Sequence, residues 1–144
     1  PPPPPPPPPP PHHPTRQSSS AASDVYKRQA ALEELREVPS ANAAVDLDDR
    51  ADQLVVTTAI LEEMVADLRG DAPSPDIRDG ELVSRWLDDW ETYIADRNIY
   101  IDRLRAGDDT IFEVTARDGD QITSPLDLFA TINRMPSCQA PGDV

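Results

Sequence analysis

The sequence predicts a mainly α-helical domain: a long antiparallel, coiled-coil-like helical hairpin, with a small β-hairpin and a short C-terminal helix packed on it. Residues 46–69 and 80–105 contain no proline, and their apolar side chains recur at alternating spacings of three and four, as in a heptad seam. Residues 71–79 separate the two runs and include Pro73 and Pro75. A proline-containing break of this kind ends one helix and lets the next fold back beside it.

The amino-terminal part of the chain differs in composition from the rest. Of the 18 prolines in 144 residues, 12 fall within the first 14 positions, and such a tract forms a polyproline II rod that cannot build a core. We expect residues 1–29 to be a disordered tail, either a low-complexity linker or a ligand for a proline-binding module. Residues 18–29 resemble a translated sequencing-adapter fragment, which implies that the authentic protein starts near Ala30.

Charge and composition exclude several classes of function. Residues 30–144 carry 10 arginines against 26 acidic residues, and a surface this negative repels phosphate and anionic lipid headgroups. We therefore expect no nucleic-acid partner, and membrane attachment only through an amino-terminal anchor that this sequence lacks. His12 and His13 lie in the proline tract, so the folded part offers no imidazole. The sequence predicts no catalytic residues, no cofactor and no metal site.

A short helix is predicted after the tail, followed by a linker that ends at residue 45. The first long helix should begin at a cap formed by Asp46 or Asp48 and end at Gly70 in the left-handed conformation. Its inward side chains share the heptad spacing: Leu47, Ala51, Leu54, Thr58, Leu61, Val65 and Leu68. The short helix is expected to contribute Leu32 and Leu35 to the core.

The second long helix should run from about Gly80 to Arg105 and stop at Gly107. Its seam follows the same spacing: Val83, Trp86, Trp90, Tyr93, Arg97, Tyr100 and Leu104. A second apolar line, Leu87, Ile94 and Ile101, recurs every seven residues beside the seam, so this helix has a wider buried face than one neighbour covers.

Antiparallel pairing of the two seams predicts layers in which small side chains meet large ones. Thr58 should face Tyr93, Leu54 should face Arg97, and Ala51 should face Tyr100. The line Leu87, Ile94 and Ile101 must then be covered by the short first helix, by the C-terminal segment or by a second copy of the chain.

The C-terminal part is predicted to form a β-hairpin, a short helix and a flexible end. Residues 110–116 alternate in polarity, Asp118 and Gly119 form a strong turn signal, and residues 121–123 can return as the second strand. Ser124 as cap, Pro125 and Asp127 should open a short helix. Its apolar side should comprise Leu126, Phe129, Ala130 and Ile132. Residues 136–144 are expected to be flexible.

Arg97 is the one charged residue within a seam, which makes it the main candidate for a ligand site. It could hold an anion or carboxylate between the helices, or its stem could pack inward while its guanidinium reaches Asp49, Asp52 or solvent. Four aromatic side chains could line a groove beside it, although residues at seam spacing more often form core: Trp86, Trp90, Tyr93 and Tyr100.

Other motifs have simpler explanations. Residues 118–120 superficially resemble a calcium loop, but the spacing of the remaining ligands fails and a hairpin turn suffices. The acids Asp88, Asp89, Glu91 and Asp96 are expected to form a solvated helix face. Residues 69–71 match a tripeptide that integrins recognise. A three-residue match often arises by chance, and the glycine is explained by its expected role in ending the helix. Cys138 is not expected to act as a catalytic nucleophile, because the folded part contains no histidine that could serve as its base.

The run WLDDWETYIADR at residues 86–97 is part of a wider resemblance, carried also by Tyr100, Leu104, residues 121–123, Phe129, residues 133–135, Cys138 and residues 141–144. These features resemble a group of short uncharacterised proteins of high-GC Gram-positive bacteria. The resemblance covers residues 47–144 and implies an amino-terminal envelope anchor, with the domain on the extracytoplasmic side, but no activity. We therefore expect a noncatalytic scaffold or interaction module that self-associates or binds a protein partner. The alternatives are a small-molecule binder or enzyme at Arg97, and a cytoplasmic location.

Overall fold

The computed structural model describes residues 30, 31, 33–38 and 41–144. Helix α1 spans Leu47–Asp71 and helix α2 spans Arg78–Arg105. Strands β1 (Ala116–Arg117) and β2 (Asp120–Gln121) follow, then helix α3 (Thr123–Ile132). Single 3₁₀ turns lie at Ala41–Ala43 and Pro136–Cys138. The predicted fold class is confirmed, whereas the polyproline tract, residues 18–29 and Leu32 lie outside the described residues.

Helix α1 begins where the sequence predicts and ends slightly later. The Asp46 carboxylate accepts a hydrogen bond from the Asp49 amide at 2.8 Å, which satisfies one of the free donors of the first turn. Gly70 lies within the helix and does not adopt a positive φ, so its predicted role as left-handed terminator is wrong. Ala72 ends the helix with extended angles, because Pro73 disfavours the helical conformation in the residue before it.

Helix α2 packs closely against the preceding loop at its start and ends at a glycine. At its start, a Cβ added to the buried Gly80 would collide with the Ser74 carbonyl of the preceding loop, so only glycine allows this approach. At its end, Gly107 has a φ of 81°. The Gly107 amide donates to the Leu104 carbonyl and the Asp108 amide to the Arg103 carbonyl, the two bonds of a Schellman motif. The predicted stop at Gly107 is confirmed.

The two long helices lie antiparallel, but the predicted layers are out of register. Glu62 accepts from Asn98 at 3.2 Å, and Asp52 pairs with Arg105 at the same distance. Arg97, predicted to face Leu54, donates instead to Thr58, which lies one turn farther along α1. A helical side chain points toward the amino end of its own helix. In an antiparallel pair, the Cα atoms of two residues whose side chains touch therefore lie farther toward the carboxyl ends of their helices than two Cα atoms directly opposite each other.

Both apolar lines of α2 are covered by other parts of the chain. Ile94, from the second apolar line, lies in a groove beside Val65 and Ala66 of α1. Trp86, Tyr93 and Tyr100 of the seam contact two aromatic side chains of the C-terminal region, Phe129 and Phe112. The C-terminal region therefore covers the aromatic side of α2, and α2 is the central element of the fold.

All three residues of the second apolar line are buried within one chain. Leu87 is fully buried, and Ile94 and Ile101 are 7% and 5% exposed. Residues 30, 31 and 33–37 are helical, and Ala31 and Leu35 pack on the same core. No second copy is required to cover the line, so the feature that suggested self-association through it is removed.

The segment between α2 and β1 is extended but does not pair with another strand over most of its length. Phe112 and Val114 are half-buried and Ile111 is 85% exposed, which confirms the predicted alternation as far as Val114, whereas Ala116 is exposed. The predicted strand over residues 110–116 is reduced to two residues, because this segment bonds to α2 side chains instead. The Thr115 amide, for example, donates to the Asp96 carboxylate at 2.7 Å.

The turn of the β-hairpin lies where it is predicted. Asp118 and Gly119 both have positive φ, 56° and 92°, as a type I′ turn requires. The pairing is antiparallel, with Arg117 opposite Asp120. The Ile122 amide donates to the Thr115 carbonyl at 2.8 Å and extends the pairing to the residue before α3.

Helix α3 packs through one narrow face. Leu126 and Ala130 are fully buried as predicted, whereas Ile132, also predicted to point inward, is 70% exposed. The predicted Ser124 cap is wrong: the helix already includes Thr123, and no side chain caps it. Asp127, expected to complete the cap, instead accepts the Ala140 amide at 2.8 Å.

Residues 136–144 pack back on the helices, so the expectation of a loose end is corrected. Cys138 is 1% exposed, and Asp143 forms an ion pair with Arg97. Individual bonds to distant residues hold this irregular segment, and such contacts leave no periodic signal in the sequence.

Candidate functional site

Arg97, the main candidate from the sequence, is a fully buried cation at the centre of α2. Its Nε donates to the Thr58 hydroxyl at 2.9 Å, and one terminal nitrogen donates to the Thr57 hydroxyl at 2.6 Å. The other terminal nitrogen donates to the Tyr93 hydroxyl at 3.4 Å. The remaining two N–H groups form a parallel pair with the Asp143 carboxylate, at 2.7 and 2.8 Å. All five guanidinium donors are thus used within the chain.

The bidentate geometry compensates for the burial of the charge. Burial by itself would lower the pKa of Arg97, but the hydrogen bonds and the charge of Asp143 outweigh it, so the pKa is raised. Burial also raises the pKa of Tyr93, although the nearby Arg97 partly opposes this effect. Arg97 therefore stays charged, and the Tyr93 hydroxyl stays protonated, over the ordinary pH range.

The partners of Arg97 come from three separate parts of the chain. Thr57 and Thr58 lie on α1, Tyr93 lies one turn before Arg97 on α2, and Asp143 lies in the C-terminal segment. The Thr57 hydroxyl is directed by the Gln53 and Leu54 carbonyls, each at 3.3 Å. This α1 pair could have been anticipated, because two hydroxyls interrupt an otherwise apolar helix face.

The predicted acidic partners of Arg97 are wrong. Asp49 instead accepts from the Val45 amide and the Gln53 side chain, and Asp52 pairs with Arg105. Asp143 is 46 residues from Arg97 along the chain, in a segment without periodicity. Sequence spacing offered no signal that would bring these two residues together.

The four aromatic candidates form core, not an open groove. Trp86, Trp90, Tyr93 and Tyr100 are all at most 6% exposed. Trp86 stacks on Phe129 at a centroid distance of 4.9 Å and meets Trp90 edge to face at 6.3 Å. The rings of Trp90 and Tyr93 are in edge contact at 5.8 Å. Leu87, Ile94 and Ile101, the other candidate interaction residues, are likewise buried.

The acidic residues of α2 divide into two groups. Asp88 and Glu91 are exposed and share Arg69, each at 2.8 Å, as expected of a solvated face. Asp89 is 2% exposed and forms a 2.6 Å ion pair with Arg117 without hydrogen-bond alignment. Asp96 is 9% exposed and accepts both the amide and the hydroxyl of Thr115. The last two carboxylates join the C-terminal region to α2, a role that the sequence analysis missed.

Among the described residues, no group of three or more histidine, cysteine, aspartate or glutamate side chains could hold a metal ion. None of the helices in that part of the chain is long and apolar enough to cross a membrane. Comparisons of the chain with protein-family models, curated proteins and solved structures found no match.

Proposed function

We propose that the chain is a noncatalytic helical interaction module that binds a protein partner through the outward face of α3. The observation that carries this proposal is the exposure of Leu128 and Ile132, at 60% and 70%. They are four residues apart and therefore share one face of the helix. Ser124 and Thr131 are also exposed, and the single charged residue of α3, Asp127, is engaged by the Ala140 amide.

Another exposed apolar side chain, on α2, lies near this face. Leu82 is 48% exposed and lies one turn before Trp86, whose ring stacks on Phe129 of α3. Side chains one turn apart adjoin each other on a helix, so Leu82 lies near α3, with the buried Trp86 and the half-buried Phe129 between it and Ile132. Depletion of charge at the centre of an apolar patch is characteristic of protein interfaces.

Charge favours a different protein over a second copy as the partner. Residues 30–144 carry a net charge of −16, so two copies repel each other, whereas a partner with basic residues around an apolar centre is attracted. The exposed acids Asp118 and Asp120 belong to the turn and strand just before α3. A basic rim on the partner could meet these two carboxylates.

The test is site-specific photo-crosslinking in a high-GC Gram-positive host, with the photoreactive residue at position 131. We expect a defined adduct that Leu128→Glu with Ile132→Glu abolishes while the thermal stability is retained. Ile111→Glu changes an 85% exposed side chain outside α3 and should leave the adduct unchanged. The proposal fails if position 131 gives no adduct that depends on Leu128 and Ile132. An adduct of twice the chain mass would identify a second copy and contradict the heterologous partner.

The envelope location is the second part of the proposal, and the sequence resemblance supports it. The test is to recover the reading frame upstream of Ala30 and to fractionate cells that express the complete protein. We expect a hydrophobic anchor and recovery of the protein with the membrane. A complete reading frame without an anchor or export signal would favour the cytoplasmic alternative.

The alternative of a small-molecule binder or enzyme at Arg97 has less support. A free anion meets no unused guanidinium donor, because Asp143 takes the two parallel N–H groups and three hydroxyls take the rest. Any external ligand of Arg97 must first displace Asp143.

A further inference from the structure

Arg97 and its hydroxyl partners all lie on the two long helices, whereas the carboxylate that they hold comes from an irregular segment. The carboxylate site comprises Thr57, Thr58, Tyr93 and Arg97, all on the two long helices. The strap comprises residues 139–144, which contain no helix or strand. The site is therefore positioned by helix packing and not by its occupant.

The donors of the site select a planar monoanion. Thr57, Thr58 and Tyr93 use three of the five guanidinium N–H groups, which leaves two parallel donors for the ligand. A carboxylate matches this pair in shape and neutralises the single positive charge. A tetrahedral dianion such as phosphate would leave oxygens without donors and an unbalanced charge in a buried site.

Besides the ion pair, the strap is held by three hydrogen bonds and by the partly buried side chains of Ala140 and Val144, which pack against the core. The Pro141 carbonyl accepts a long 3.3 Å bond from the Tyr93 hydroxyl, and the Ala140 amide donates to Asp127. The Gln139 side chain reaches Thr131 at 3.3 Å. A Cβ added at Gly142 would meet no atom within 4 Å, so the backbone is not enclosed there. Loss of the ion pair removes the strongest of these contacts.

We infer that the carboxylate site is a ligand site which Asp143 occupies in cis, and which a carboxylate from another molecule occupies when Asp143 is withdrawn. The ligand is a planar carboxylate, either a free small molecule or an acidic side chain on an extended segment such as the strap of a second copy. The cis occupant acts at an effective concentration in the millimolar range. A competing ligand must therefore be present above this effective concentration, relative to its affinity, or the strap must be held away from Arg97.

The test begins with the full chain carrying Asp143→Ala, which leaves space for a small carboxylate beside Arg97. Sodium formate should raise its melting temperature saturably, by several degrees over equal concentrations of chloride, because the ligand binds only the folded state. The wild-type chain should show no such difference, nor should a chain carrying Asp143→Ala and Arg97→Met. Sulfate should not replace formate.

A second arm distinguishes the two sources of the carboxylate. A peptide with the sequence of residues 139–144 is titrated into the Asp143→Ala chain, with the same peptide carrying asparagine for aspartate as the control. Stabilisation by formate alone indicates a site for small carboxylates, whereas stabilisation by the aspartate peptide indicates strap exchange between copies.

If the Asp143→Ala chain does not fold, recovery of its helical circular dichroism by formate becomes the readout. The Asp143→Asn chain then shows whether an uncharged group of the same shape restores the fold. The inference is overturned if neither formate nor the aspartate peptide stabilises Asp143→Ala, or if both stabilise the Arg97→Met double variant equally.

Discussion

Arg97 is a fully buried cation, so the stability of the chain depends on the carboxylate that neutralises it. Asparagine at position 143 would keep the shape and one acceptor but remove the charge. Breaking a buried pair from one side is costly, because the other charge stays in the interior. We expect Asp143→Asn to reduce the free energy of unfolding by about 2 to 4 kcal/mol, less than for a completely buried pair, since the Asp143 side chain is 18% exposed.

Urea unfolding at neutral pH measures this effect. Asp120→Asn is the matched control, because Asp120 is exposed and forms no ion pair that the structure describes; its effect should stay within about 0.5 kcal/mol. A loss below about 1 kcal/mol for Asp143→Asn would show that water or another group compensates Arg97 and would contradict the described pairing.

Tyr93 gives the molecule a dependence on alkaline pH. Its pKa is raised, chiefly by burial, so the folded state holds the phenolic proton more tightly than the unfolded chain does. This contribution to stability is complete below the unfolded pKa of about 10 and is lost as the pH rises through the higher folded value. We expect the unfolding free energy to fall above about pH 10, by at most about 1.4 kcal/mol per pH unit for this one proton.

Tyr93→Phe isolates the contribution of Tyr93 from other groups that titrate at high pH. It should cost about 0.5 to 1.5 kcal/mol at neutral pH through the lost hydrogen bonds to Arg97 and Pro141, but it should show a shallower decline above pH 10. The measurement is denaturant unfolding at several pH values from 8 to about 11. Parallel pH profiles for the two proteins would rule out Tyr93 as the source.

At the scale of elements, the helix ends show which sequence signals were decisive. Asp46, Gly107 and the Asp118–Gly119 turn act as predicted, because each satisfies a local backbone requirement that adjacent residues determine. Gly70 fails as a terminator because Pro73 imposes an extended conformation on Ala72. Two signals compete there, and the proline is the stronger.

The packing of the elements was less predictable than their positions. Periodicity identifies the wide apolar face of α2 but not which neighbour covers each side of it. The aromatic line contacts Phe112 and Phe129. The local patterns place both rings on inward faces but do not identify the partner that each ring meets. Asp143 was missed because its segment has no periodicity at all. The sequence predicted Arg97 as the central residue of the site, but not its partners.

Two glycines near the loop between α1 and α2, Gly80 and Gly70, allow a test in which one variant serves as the control for the other. Gly80→Ala introduces a Cβ against the Ser74 carbonyl, and such overpacking against backbone should cost about 1 to 3 kcal/mol despite the better helix propensity of alanine. Gly70→Ala is also within a helix, and its Cβ would meet nothing within 4 Å. This second change should stabilise the chain by about 0.5 to 1 kcal/mol.

Thermal and urea unfolding of the two variants give the comparison. The signs of the two effects should be opposite. If Gly80→Ala is as stable as the parent chain, the loop must shift freely at Ser74, and the close approach is not a constraint on the hairpin.

At the scale of the whole molecule, the imbalance of charge determines how the domain responds to salt. Seven of the ten arginines in residues 30–144 form ion pairs within the described part of the chain. Exposed pairs contribute about 0 to 1 kcal/mol each. The acids outnumber the arginines by 16, so repulsion among the unpaired carboxylates outweighs the attraction that salt also screens.

We therefore expect added salt to stabilise the chain. Raising NaCl from about 0.01 M to about 1 M shortens the screening length from about 30 Å to about 3 Å. Weaker repulsion should increase the melting temperature by about 3 to 6 °C, equivalent to roughly 1 kcal/mol. A triple variant, Glu63→Gln with Asp102→Asn and Asp120→Asn, removes three exposed carboxylates. It should melt higher than the parent chain at low salt and respond less to added NaCl. If salt lowers both melting temperatures equally, the surface ion pairs dominate over repulsion, and the charge argument for a basic-rimmed partner loses its physical basis.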